Sequence, residues 1–205
     1  MKKLIVLLLV VFFGVNLQSF SQAVDDRAVV PVSVTLNSIL RLNVESGGNV
    51  EFNFNTLEQY ENGINTDYTN DQYATKLTVA SSVNWDLIMG AEDDNLVSTD
   101  TVGAGGGMDL GYITYELVIP SEAGIADGDE VDLISTPAQL SPISDNTAII
   151  ENGTEGNAGD VEQNQFSVSW ACGDSQEGVG NLMGSDLTGG RYSTNVFFIL
   201  QPAGD

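Results

Sequence analysis

Residues 73–89 read YATKLTVASSVNWDLIM, and their period decides the fold class. Tyr73, Thr75, Leu77 and Val79 share one parity, and after the Ser81-Ser82 break the same period resumes with Val83, Trp85, Leu87 and Met89. Apolar side chains at every second position, with small or polar residues between them, set one face of an extended chain on a core and the other in water. Antiparallel sheets are built this way, whereas parallel sheets give continuous apolar runs.

The period extends in both directions. Upstream, Val32, Val34 and Leu36 alternate with Ser33 and Thr35, and Leu40, Leu42 and Val44 with Arg41 and Asn43. Beyond the turn-forming ESGGN of residues 45–49, Val50, Phe52 and Phe54 alternate with Glu51 and Asn53. Downstream come Ile113, Tyr115, Leu117 and Ile119, then Phe166, Val168 and Trp170, then Tyr192, Thr194, Val196, Phe198 and Leu200. No stretch shows a capped helical period; TLEQYENGI (56–64) is short and broken by Gly63, and reads as a loop or a single turn. Eight or more short strands without intervening helices predict an immunoglobulin-like antiparallel β-sandwich. Gly, Asn and Asp cluster at residues 45–49, 61–72, 90–111, 121–130, 151–164 and 173–190, which are the expected turns and loops. None of them splits the chain, so residues 22–205 are expected to form a single domain.

The first 21 residues read differently. Lys2 and Lys3 precede an apolar run from Leu4 to Val15, followed by Ser19 and Ser21. This is the order of an export signal peptide, and the run is shorter than the roughly 20 residues a spanning helix needs. Cleavage near Ser21 leaves a mature chain starting at Gln22 or Ala23, with no membrane span. The expected location is the periplasm, the cell surface or the extracellular space.

Four basic residues remain after cleavage (Arg27, Arg41, Lys76 and Arg191) against 29 acidic ones, a formal charge of −25. Such a surface repels phosphate backbones and anionic lipid, which excludes nucleic acid as a partner. Cys172 is the only cysteine, so no intrachain disulfide forms and the fold relies on its core. Its place in WACGD, after an apolar strand, is that of a small buried hydrophobe.

Catalytic options are few. Histidine is absent, which removes Ser-His-Asp and Cys-His chemistry and histidine-based metal sites. The glycines of VGAGGGMDLG (102–111) are followed by neither a helix nor a Lys-Ser/Thr pair, so they are a loop rather than a phosphate cradle. Paired carboxylates would suffice for glycoside hydrolysis. Glu116 is the best-placed carboxylate, but it alternates with the core residues Tyr115 and Leu117 and has no marked partner. No catalytic residue and no cofactor site is expected. The turn DGDEVD brings Asp127, Asp129 and Asp132 together as weak calcium candidates, without the spacing of the helical calcium loop. ENGTEGNAGD (151–160) offers a fainter version of the same pattern.

The closing GGRYSTNVFFIL (189–200) is similar to the Gly-x-Tyr-(Ser/Thr)-x-x-Val final strand of small exported bacterial β-sandwiches. Together with the early AVVPVSVTLNSILRLNV (28–44), it resembles domains of the spore coat protein U and fimbrial-subunit type. The cysteine pair often seen in fimbrial subunits is absent. The resemblance implies a non-enzymatic structural subunit of a surface appendage or coat, with a role in adhesion. Its implied partners are other surface or fimbrial subunits, further copies of itself among them. The alternative is a stand-alone module for a surface glycan, bound by long loops at one end of the sandwich.

Overall fold

The computed structural model describes residues 30–99, 107–121, 123–125 and 128–204. The expected signal peptide lies outside them. The chain divides into two units, residues 1–36 and 37–205. In the first, the described residues 30–36 form neither helix nor strand. The strand expected from the alternation of Val32, Val34 and Leu36 is therefore not formed.

The second unit is all-β. Its strands are β1 (Leu40–Ser46), β2 (Ala74–Ser81), β3 (Trp85–Ala91), β4 (Asn95–Ser98), β5 (Met108–Asp109) and β6 (Ile113–Val118). They continue with β7 (Val131–Leu133), β8 (Ala138–Gln139), β9 (Ala148–Asn152), β10 (Gln165–Cys172), β11 (Tyr192–Ser193) and β12 (Val196–Pro202). Every pair of named strands is antiparallel. A five-stranded sheet has the order β1-β2-β10-β6-β8 and a four-stranded sheet the order β12-β3-β9-β7; β11-β4-β5 make a small third sheet. No helix among the described residues is long and apolar enough to cross a membrane.

The two larger sheets share one core, as expected for a sandwich. Leu77, Val79, Tyr115, Leu117, Phe166 and Val168 come from the first, and Trp85, Leu87, Met89, Ile149 and Val131 from the second. The Trp85 and Phe166 rings bridge the sheets with centroids 6.1 Å apart. Both tryptophans are buried, as their parity predicts.

Two local expectations change. TLEQYENGI contains a short helix, α1 (Leu57–Asn62), started by a capping box in which Thr56 and Gln59 serve each other's backbone N–H. Gly63, at φ +77°, ends it. Residues 50–55 keep the alternating burial of a strand, yet they belong to no ladder. Phe52 stacks on Tyr73 with centroids 4.8 Å apart, so the side chains are seated on the core while the backbone stays out of the sheets.

Candidate functional site

The acidic turn was the better of the two metal candidates in the sequence. Asp127 lies outside the described residues. Asp129 is exposed, and its carbonyl accepts from the Glu155 N–H at 2.8 Å, while Glu130 accepts from Gly153 at 2.8 Å. These bonds fasten the turn before β7 to the turn after β9. Asp132 is exposed on β7, directly opposite Glu151. Among the described residues no three acidic or thiol side chains gather into a group that could hold a metal. Glu116 sits half-buried on β6, opposite Ser169.

The most elaborate polar cluster is internal. The Tyr68 hydroxyl donates toward Thr114 Oγ1 at 2.8 Å and lies 3.1 Å from the carboxylate of buried Asp174. The other Asp174 oxygen accepts from the Gln176 N–H at 2.8 Å. Burial, with the Asp174 charge and its bond to the phenol adding to it, pushes the Tyr68 phenol up to about 12, opposed by the Thr114 hydroxyl, which can donate to the phenolate once it forms. The Tyr68 carbonyl accepts from Ser169, so the cluster pins the loop before β2 across the outer side of β10. Its groups satisfy one another, and its work is structural. Cys172 is buried at the end of β10, and burial raises its thiol to about 12, which leaves it protonated and inert at neutral pH.

What remains is the side of the sandwich where both large sheets end in long strands. β1 and β12, seven residues each, are terminal strands of different sheets and lie against each other. On the opposite side the terminal strands are β8, of two residues, and β7, of three. Very short edges limit the pairing of a sheet with foreign strands; long, flat, apolar ones invite it. Leu40, Leu42, Val196, Phe198 and Leu200 point inward along this side but are only half-buried. β1 carries some protection: a bulge between Val44 and Ser46 turns Glu45 so that its carboxylate accepts from Asn43 and Thr78. β12 carries none of these devices, and its only proline is its last residue.

Sequence reasoning identified β1 and β12 as strands but not as edges, because strand order is set by pairing partners that periodicity does not name. The signal that could have found the β12 edge is its composition. Residues 192–204 contain no charge in a chain of formal charge −23.

Neither a protein-family model nor a curated protein matches this sequence. The functional reading therefore rests on the edges, the composition and the N-terminal segment.

Proposed function

We propose that the protein is a non-enzymatic, exported structural subunit of a bacterial surface appendage or coat, assembled by addition of strands between copies. The observation that carries this reading is the side of the sandwich bounded by β1 and β12, with its half-buried Leu40, Leu42, Phe198 and Leu200. A matching donor exists within the chain. Residues 28–40 are uncharged, and Val30, Val32, Val34 and Leu36 alternate in a stretch that forms no strand of its own. An extended segment of this kind binds a free sheet edge through main-chain hydrogen bonds, and its alternate side chains fill the apolar gap. Pro31 suits such a segment, since proline is confined to edges and strand starts.

Deleting residues 22–31 from the mature chain tests the assembly. Loss of polymers with the fold retained supports exchange between copies. A mature protein that is monomeric before the deletion, and merely destabilised by it, rejects exchange and favours the glycan-binding module. Export is checked separately by mass spectrometry: the secreted form should begin within two residues of Gln22, and a form retaining Met1 rejects the signal peptide.

A further inference from the structure

We infer that β12 is a self-recognition strand: the β12 edges of two copies pair antiparallel about a two-fold axis near Ile199, joining two four-stranded sheets into one of eight. This contact is separate from the N-terminal segment and leaves the β1 edge free for it.

Three observations select a second copy as the occupant. The first is the outward face. Along β12 the outward parity is Phe197 and Ile199, exposed at 43% and 45%, whereas the outward parity of β1 is Arg41 and Asn43. Next to β12, Ile88 of β3 is buried although it also points outward, because the turn Pro142–Asp145 covers that strand. A Cβ at Gly90 would sit 2.5 Å from Ile143 Cα, which shows how closely the turn lies on β3. Phe197 and Ile199 thus continue an apolar strip to the open edge of the sheet, where it stops uncovered.

The second is charge. Two copies of so acidic a chain repel each other almost anywhere they touch. Along β12 itself that repulsion is weakest, because residues 192–204 carry no charge and carboxylates adjoin the strand only toward its ends, Glu92 at Asn195 and Asp86 across from Gln201. The third is symmetry. A two-fold contact uses the same patch on both partners, and an antiparallel pair of identical strands is self-complementary. Centred on Ile199, the pairing sets Phe198 opposite Leu200 of the second copy on the core side, and Ile199 opposite Ile199 on the outer side. Directly opposed residues approach to about 4.5–5.5 Å between Cβ atoms, so a like charge placed there is felt at once.

The test uses the full mature chain carrying Val32→Asp and Val34→Asp, which removes strand donation by the N-terminal segment. Light scattering on this background should give twice the monomer mass at micromolar concentration. Adding Ile199→Lys or Ile199→Glu should each give a monomer with an unchanged circular-dichroism spectrum, and an equimolar mixture of the two should restore the doubled mass. Hydrogen exchange on the background protein, without any charge at 199, should show amide protection in residues 196–202 that rises with concentration. A monomeric background protein with its fold intact overturns the inference, because all association then runs through the N-terminal segment. So does a dimer that survives Ile199→Lys, or a lysine–glutamate mixture that stays monomeric.

Discussion

Asn157, itself buried, does at Trp85 what a neighbouring strand would do. Its side chain accepts from the Trp85 N–H and donates to the Trp85 carbonyl, both at 2.8 Å, and its own carbonyl accepts from the indole N–H at 2.9 Å. Trp85 is fully buried at the start of β3, so each of these groups needs a partner inside the protein. Asn157→Ala orphans two backbone groups at about 1–3 kcal/mol each, and should cost on the order of 2–4 kcal/mol in urea unfolding. Trp170 is tied differently, through its indole N–H to Thr75 Oγ1 at 2.9 Å. Replacing either tryptophan with alanine should cost about 3–5 kcal/mol, and acrylamide should quench neither in the native protein. The burial of both was legible from parity. Asn157 was not, since an asparagine in a Gly-rich stretch looks like any turn residue until its partner is known.

At the scale of elements, β7 and β9 carry an avoidable strain. Asp132 and Glu151 are directly opposed and both exposed. Like charges in that position destabilise a pair, so Asp132→Asn should raise stability by about 0.2–1 kcal/mol, read as a higher melting temperature whose margin over the parent narrows as salt is added. Gly153, just past β9, is fixed by contact: a Cβ there would lie 2.3 Å from the Asp129 carbonyl oxygen. Gly153→Ala should therefore loosen the bonded turns at the β7–β9 end and lower the melting temperature. These strands also mark where sequence reading ran out. Strands with one wet face, such as β1 and β12, declared themselves by alternation. β9 did not, because Ile149 and Ile150 are consecutive and both fully buried, one toward each side of a central strand. β4, β5, β7 and β8 have two to four residues, too few to show a period. The opposite error arose at residues 32–36 and 50–54, where alternation is present without a ladder. Period two reports side-chain placement, and hydrogen-bond pairing is a separate fact.

For the whole molecule, acid and alkali act on different groups. Burial raises the phenols of Tyr68 and Tyr115 to about 12, from an ordinary 10, and the Cys172 thiol to about 12 from 9. In each case the unfolded chain gives up its proton at lower pH than the folded one. The stability these groups contribute is fully present below pH 9 and falls as pH rises toward 12, because the unfolded state then binds fewer protons. Unfolding monitored by tyrosine absorbance should show ionisation and loss of structure together in that window. Tyr68→Phe should flatten part of the pH slope while weakening the protein at neutral pH, through the lost bonds to Thr114 and Asp174. With 29 carboxylates against six basic side chains, self-repulsion adds to this loss and salt should relieve it.

The solitary thiol on β10 turns the fold into its own stopwatch. A thiol reagent added to the native protein finds nothing to modify until the two sheets part, so the labelling rate counts openings of the core directly. A chain with a single cysteine also has no mispaired intramolecular intermediate to correct, and its folding speed does not depend on any oxidant. The corresponding weakness appears only in chains that open near one another, where the exposed sulfur can join two molecules permanently. Quality in storage should therefore track the opening rate, and a Cys172→Ala variant should age without covalent dimers.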